Sequence, residues 1–419
     1  MNMLVISSLI LIISYLFIAW EKFPKTTVAM LGAALMLMID HTPAAKVFAH
    51  IDFAVIFLLI SMMIIVHITS RSGVFNWLGI EMLKHTKGSP KLILFSLAMF
   101  TAFFSALLDN VTTVVLILPI TYTIARELKI DPIPFLITEI IASNIGGTAT
   151  LIGDPPNIII GSAAGLTFMD FVRELTPVII IILIISVLVL LYMFRKDLQS
   201  SVELMEKVAC LDNSKTITNK PLMIRSLIVL LLVIAGFMLH EIIHIDAYVI
   251  ALFGASILML FETPRQVMHE VEWTTIFFFI GLFIIIGSFA EHGGVKLLAS
   301  QVLTLTQGDQ KSTAMLILWA SGVFSAIIDN IPYTVTMVPL INELKASMDV
   351  YPLWWSLSLG ACLGGNATII GAAANVIIAE SAHAFGCKIS FWRFLKYGLL
   401  ITFISFVISS IFLYIRFFQ

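Results

Sequence analysis

Two aspartate–asparagine pairs are the residues of this sequence best suited to chemistry, because each stands inside a strongly apolar stretch. Asp109-Asn110 lies in FSALLDNVTTVVLILP (104–119), and Asp329-Asn330 lies 220 positions later in FSAIIDNIPYTVTMVP (324–339). A charged carboxylate at membrane depth costs on the order of a few kcal/mol, so each needs a partner. Carboxylate and carboxamide oxygens are ligands for small cations, and an aspartate also fits the N-cap of a helix. The two roles are compatible.

A second repeated stretch combines small residues with helix breakers. GGTATLIGDPPNIII (146–160) returns 218 positions later as GGNATIIGAAANVII (364–378). Glycine permits positive φ and close approach, and Pro155-Pro156 stops an ordinary helix, so each stretch is predicted to break a helix. Asp154 has Ala372 as its counterpart. A third carboxylate on one side only suits a group that exchanges a proton or a cation, because burial disfavours its charged form.

We therefore expect one substrate- or ion-binding site built from both halves, with no catalytic residue and no cofactor. The candidate residues of the first half are Ser105, Asp109, Asn110, Thr112, Thr113, Ser143, Asn144, Gly146, Thr148, Asp154 and Asn157. Those of the second half are Asp329, Asn330, Thr334, Gly364, Asn366, Thr368 and Asn375. A sodium ion is expected to take ligands from Asp109, Asn110, Asn144, Asn330 and Asn366. The coupling ion is predicted to be Na⁺ or H⁺.

The composition predicts an integral membrane protein with an all-α polytopic fold. The chain is 59% hydrophobic and 12% charged, with mean hydropathy +1.04, far from soluble averages. Its net charge of -2 gives no reason to expect a nucleic-acid partner. Its three cysteines have no metal-ligand spacing. No nucleotide-binding loop is present, so neither an ATP-driven pump nor an enzyme is predicted.

The apolar runs predict five membrane crossings in each half. The first set is 3–20, 26–40, 53–70, 133–168 (broken) and 175–194, and the second is 222–240, 246–261, 273–290, 353–383 (broken) and 395–416. An extra segment in each half, 92–125 and 313–342, carries Asp-Asn at its middle. We interpret each as a re-entrant hairpin with Asp-Asn at its tip. The alternative is a full crossing with a buried polar kink.

The charges of the loops predict the orientation. With the N-terminus outside, 18 of the 24 basic residues fall in cytoplasmic loops, as the positive-inside rule requires. Five crossings per half then make the repeats inverted and leave both termini outside a plasma (inner) membrane. The predicted divisions are a first repeat over 1–196, a cytoplasmic linker over 197–221 and a second repeat over 222–419.

The motifs resemble a known family. SALLDNVTT (105–113) followed by ASNIGGTATLIGDPPN (142–157) is similar to the ArsB/NhaD/P-protein permease branch of the ion transporter superfamily, which has a citrate-transporter-like domain. The resemblance implies a scaffold domain, a mobile transport domain, elevator-like alternating access and a homodimer. Cys362 stands at the counterpart of Asn144, so one of two sodium sites is expected to be altered. The branch includes arsenite exporters, cation–proton antiporters and anion carriers.

The function predicted from these features is secondary active transport of a small inorganic ion or anion across the bilayer, coupled to a proton or sodium gradient. The substrate alternatives are Na⁺/H⁺ antiport and arsenite or anion permeation. An ion channel built on the same midplane site is a different class that the sequence leaves open. An intramembrane aspartyl protease fits less well, because Asp109 and Asp329 occupy equivalent repeat positions and Gly153-Asp154 lacks a protease context.

Overall fold

The computed structural model describes residues 3–20, 22–40, 43–209 and 216–419, which fold into helices without strands. The all-α prediction is confirmed. Eight of the described helices are long and apolar enough to cross a membrane, and they include Pro90–Leu107 and Asn110–Leu128, the two arms of the first hairpin. Shorter helices and the broken helices complete five crossings in each half, and the halves are inverted relative to each other.

The helices of the first half follow the predicted order. They are α1 Met3–Trp20, α2 Lys25–Asp40, α3 Ala44–His50, α4 Phe53–Arg71, α5 Val74–Lys84, α6 Pro90–Leu107, α7 Asn110–Leu128, α8 Ile133–Gly147, α9 Pro155–Ala164, α10 Phe168–Glu174 and α11 Thr176–Met193. The segment between the halves contains α12 Val202–Ala209. The predicted broken span is the pair α8 and α9, which the irregular residues 148–154 separate.

The second half repeats this order with small differences in length. Its helices are α13 Lys220–Met238, α14 His240–Ile243, α15 Ala247–Met259, α16 Pro264–His269, α17 Trp273–Glu291, α18 Gly294–Thr306, α19 Gln310–Ile327, α20 Asn330–Leu344, α21 Tyr351–Gly364, α22 Ala373–Ala384 and α23 Phe391–Phe417. A 3₁₀ turn, Ile369–Gly371, interrupts the broken pair α21 and α22.

The two hairpins are built alike, with an aspartate at each tip. Asp109 caps α7 by accepting a hydrogen bond from the Thr112 amide at 2.8 Å. Asp329 is the N-cap of α20 and accepts from the Ile331 amide at 3.4 Å. Capping satisfies amides that a helix start leaves without partners. Both aspartates therefore act as helix N-caps.

The glycines of the broken helices act by close approach. A Cβ on Gly146 would lie 2.2 Å from the carbonyl oxygen of Ala102, and one on Gly364 would lie 2.7 Å from the Cα of Gly322. Both glycines are helical, with negative φ. The predicted helix breaks follow both glycines in the chain, and close approach, not positive φ, is the property of glycine that these two positions use. They let the hairpin arms α6 and α19 dock on α8 and α21.

The remaining crossings form the scaffold. Helix α2 packs on α17, and α4 packs on α13 and α15, so that the first three crossings of both halves lie together. The hairpins, the broken helices, α11 and α23 form the transport domain. Tyr15 on α1 joins the two, because its hydroxyl lies 2.7 Å from the carbonyl oxygen of Pro332 and 2.7 Å from the Thr336 hydroxyl.

Ion pairs and hydrogen bonds between loops define two faces of the molecule. Arg71 pairs with Glu262 at 2.9 Å, and Arg393 pairs with Asp131 at 3.2 Å. We call this side, where α4 ends and α8 begins, the basic face. On the opposite face Arg416 pairs with Glu174 at 2.9 Å. In each pair, the two partners lie at helix ends that the predicted topology places on the same side of the membrane.

The linker segment lies on the basic face. The Thr218 amide donates to the Ser72 carbonyl at 3.0 Å, and the Ser200 hydroxyl donates to the Leu128 carbonyl at 2.9 Å. Helix α12 packs on α5 and α7, although the sequence analysis assigned no element there. Residues 210–215, which include Cys210, lie outside the described residues. The repeat boundaries at 196 and 222 stay a prediction.

Candidate ion-binding site

A cavity of about 380 Å³ lies between the scaffold and the transport domain. The transport domain lines it with both hairpin tips and the start of α9. Its polar lining residues are Asp109, Asn110, Asp154, Asp329 and Asn330 from the transport domain and Lys25, Thr26, Glu272, Thr274 and Thr275 from the scaffold. The two aspartate–asparagine pairs, 220 positions apart, therefore meet at one place.

Asp154 connects the two hairpin tips. Its side chain is fully buried. The Asn110 amide nitrogen lies 3.3 Å from Asp154 Oδ1, and the Asn330 amide nitrogen lies 3.3 Å from each carboxylate oxygen. Both donors are neutral carboxamides, so they orient the carboxylate without cancelling its charge. The arrangement suits a carboxylate that receives a cation or a proton.

Asn144 connects the two broken helices. Its amide nitrogen lies 2.9 Å from the side-chain oxygen of Asn366 and 2.9 Å from that of Asn375. The Asn375 amide in turn donates to the carbonyls of Gly365 at 2.7 Å and Thr368 at 2.9 Å. Asn375 thus satisfies the backbone of the second helix break, and Asn144 of the other repeat holds Asn375 in place.

Asn157 satisfies the backbone of the first helix break in the same way as Asn375 does for the second. Its amide donates to the carbonyls of Thr148 at 3.1 Å and Thr150 at 2.8 Å. Its side-chain oxygen accepts from the Ser358 hydroxyl at 2.6 Å and from the Cys362 thiol at 3.6 Å. Cys362 therefore donates to Asn157 as its counterpart Asn144 donates to Asn375. The bond is kept, although a thiol offers no hard oxygen for sodium.

The predicted hydroxyl residues mostly donate to helix carbonyls close to the hairpin tips and the helix breaks. Ser105 donates to the Ser143 carbonyl at 2.7 Å, and Ser143 donates to the Asn110 carbonyl at 3.2 Å. Other bonds of this kind run from Thr148 to the Asn144 carbonyl, from Thr334 to the Asn330 carbonyl and from Thr368 to the Ala326 carbonyl. Thr112 donates to the Asp109 carboxylate at 2.5 Å. The Thr113 hydroxyl is buried without a hydrogen-bond partner.

Two charged scaffold residues at the cavity were missed from the sequence. Lys25 Nζ lies 2.9 Å from Asp329 Oδ2, and Glu272 lines the cavity at the start of α17. In the sequence, Lys25 follows the first apolar run directly, which is typical of a loop lysine at the membrane surface. Glu272 had a signal, since it matches Asp52 between the repeats and both residues precede equivalent helices.

The cavity opens toward the basic face. A second cavity shares Lys25, Ala373 and Ile377 with it and extends to Lys22 and the exposed Glu380. On the opposite side α9 packs against α4. There the Ser162 hydroxyl donates to the Asp52 carboxylate at 2.5 Å. The two repeats thus adopt different positions relative to the scaffold.

This asymmetry predicts different cysteine reactivity at equivalent positions. Ile377 lines both cavities, whereas its repeat counterpart Ile159 is 2% exposed. In a chain whose native cysteines are replaced by serine, Ile377→Cys should react from the basic face with a membrane-impermeant maleimide. Ile159→Cys should stay unlabelled until the protein is denatured. Equal labelling of both variants would contradict the asymmetry.

Comparison with known proteins identifies the family. The family model described as "CitMHS: Citrate transporter" matches residues 15–360. The chain belongs to this family. It is 42% identical to an uncharacterized transporter of Mycobacterium tuberculosis and to a 46 kDa membrane protein of Mycobacterium leprae, each over 99% of both chains. These relatives establish a membrane transporter, as the sequence motifs predicted.

Two further matches bear on the motifs and the fold. The P protein of Mus musculus is 32% identical over 96% of this chain, which spans 59% of that protein. The resemblance to the P-protein branch is therefore confirmed. The crystal structure of the Alcanivorax borkumensis YdaH transporter, described as having an unusual topology, aligns with a TM-score of 0.59 at 14% identity. It covers 96% of this chain and 98% of its own, and it supports the fold alone.

Proposed function

We propose that this protein is a secondary active transporter of a small inorganic ion, coupled to a proton or sodium gradient. The observation that carries the proposal is Asp154, a fully buried carboxylate held by one neutral amide from each hairpin tip. Sodium or a proton would bind there, with oxygen ligands from the two tips. The substrate-binding roles of the other predicted residues belong to the same proposal.

The charge of the cavity favours a cation as the transported or coupling ion. Four carboxylates line it, from Asp109, Asp154, Asp329 and Glu272, against the single ammonium of Lys25. A free polycarboxylate such as citrate, the anion in the family's name, would meet net repulsion there. An anion would therefore have to enter together with cations that neutralise these carboxylates.

Alternating access is the mechanism that the asymmetry of the two sides favours. The cavity shares lining residues with one that reaches the basic face. On the opposite side α9 packs on α4, and a separate cavity lined by Ser162 and Asp246 shares no lining residue with the first. Exchanging the two repeat conformations would expose the same site to the opposite face, which is how inverted-repeat transporters work. A channel would instead need both sides open together. We propose an elevator-type movement of the transport domain along the scaffold.

The positive-inside rule extends the proposal to location. The basic face would lie in the cytoplasm and both termini outside a plasma (inner) membrane. A homodimer is part of the same proposal, and it would assemble through the scaffold.

The test is a flux panel with the purified full-length chain in proteoliposomes. Na⁺, Li⁺, arsenite, chloride and citrate would each be followed under imposed pH and sodium gradients. We expect saturable, gradient-driven flux of a monovalent cation, against its own gradient when the driving gradient is large enough. Unitary currents in planar bilayers would indicate that the protein is a channel and not a transporter. Absence of flux for every ion of the panel would overturn the proposal.

A further inference from the structure

The ion pair between Lys25 and Asp329 crosses the boundary between the two domains. Lys25 begins the scaffold helix α2, and Asp329 sits at the tip of the second hairpin in the transport domain. Their charged atoms are 2.9 Å apart, and the side chains are 25% and 4% exposed, respectively. Separating a pair this shielded from water leaves each charge poorly compensated, which costs more than separating a surface pair. The contact therefore helps to hold the transport domain in its present position on the scaffold.

The three central aspartates are stabilised in different ways. Asp109 accepts from the amide and hydroxyl of Thr112, and Asp154 accepts from two carboxamides. Asp329 alone among them contacts an ammonium group of the scaffold. An ammonium group and a monovalent cation satisfy a carboxylate in similar ways. The Lys25 ammonium thus occupies a place that a bound cation would need.

We propose that Lys25 is a built-in counter-cation that competes with the transported cation for Asp329 when the cavity faces the basic side. This inference rests on the proposed cation transport and deepens it. Cation binding on this face must displace Lys25, so the apparent affinity is lowered here. Conversely, return of Lys25 to Asp329 assists release of the cation. Asp109, Asp154 and Glu272, the other carboxylates of the cavity, are available to the displaced ammonium group.

The relation between the two repeats indicates that this competition occurs on the basic face only. The match of Thr42-Pro43 with Thr263-Pro264 places Asp246 at the counterpart of Lys25. The counterpart of Asp329 is Asp109. If the two repeats exchanged conformations, the carboxylates of Asp246 and Asp109 would approach each other on the opposite face, as Lys25 and Asp329 do on the basic face. Two like charges attract a cation to the opposite face and supply no competitor, so the affinity should be higher there.

The decisive comparison is Lys25→Gln with Lys22→Gln, a lysine in the same loop that lies over the Trp20 ring instead of a carboxylate. Na⁺ is the probe, and everted membrane vesicles expose the basic face. Lys25→Gln should lower the half-saturating Na⁺ concentration on this face about tenfold, because no ammonium group competes for Asp329. Lys22→Gln should match the unmodified protein, and Lys25→Arg, which keeps a positive charge beside Asp329, should lower the half-saturating Na⁺ concentration less than Lys25→Gln does. In an Asp329→Asn background, Lys25→Gln should produce no further change in affinity.

A binding measurement separates this inference from the proposed function. Thermal unfolding of the purified protein in NaCl, compared with choline chloride, should show greater Na⁺ stabilisation in Lys25→Gln than in Lys22→Gln. If the unmodified protein moves no ion of the flux panel, the proposed function fails. If it moves Na⁺ but Lys25→Gln and Lys22→Gln have equal half-saturating concentrations and equal Na⁺ stabilisation, the counter-cation role of Lys25 fails alone.

Discussion

Replacing Asp154 by asparagine should abolish gradient-coupled transport while leaving the protein folded. Asparagine has nearly the same shape, and its side-chain oxygen can still accept from the amides of Asn110 and Asn330, which lie 3.3 Å from the carboxylate. The exchange removes the negative charge and the proton-accepting oxygen. Because the two tip donors are neutral, no nearby cation is left unpaired by the change. pH-driven cation uptake should fall to the level of protein-free vesicles.

The matched control is Glu139→Gln, which removes a buried carboxylate from α8 in the same broken pair. Glu139 Oε1 accepts from the Thr121 hydroxyl, and its side chain is absent from the cavity lining described here. Glu139→Gln should therefore retain coupled uptake. Elution of Asp154→Asn at the normal position on size exclusion would establish folding. Coupled uptake by Asp154→Asn at the rate of the unmodified protein would remove Asp154 from the mechanism.

The meeting of the hairpin tips could be predicted from the sequence, because it follows from symmetry. Two stretches 220 positions apart, in halves that each cross the membrane five times, must be related by a pseudo-twofold axis in the membrane plane. Polar breaks near the middle of each half then come together at that axis. The same reasoning predicted that Asp154, without a carboxylate counterpart, would enter the centre from one side.

The partners across the repeats could not be predicted. That Asn144 donates to Asn375 while Cys362 donates to Asn157 depends on how the two broken helices pack against each other. A repeat match pairs Asn144 with Cys362 but gives no contact between them. Position in the sequence also misled for Lys25, because a lysine after an apolar run usually lies in the headgroup region. Here the loop is short, and the cavity admits its side chain.

Replacing Asn157 by alanine should strongly destabilise the transport domain. The change leaves the buried carbonyls of Thr148 and Thr150 without their amide donor and the Ser358 hydroxyl without its acceptor. Leaving buried polar groups unsatisfied costs about 1–3 kcal/mol per group. The total should exceed the cost of most single substitutions. The measurement is the Tm of the purified protein in detergent, which should fall by many degrees.

Cys362→Ala is the control, because a thiol makes only weak hydrogen bonds, here to the same Asn157 oxygen at 3.6 Å and to Asp154, and the change should lower the Tm little. Asn375→Ala should lower the Tm about as much as Asn157→Ala, since Asn375 bridges the carbonyls of Gly365 and Thr368 and accepts from Asn144. Equal effects from two asparagines 218 positions apart are what an inverted duplication requires of its helix breaks. A Tm unchanged by either alanine would mean that water satisfies the irregular backbone instead.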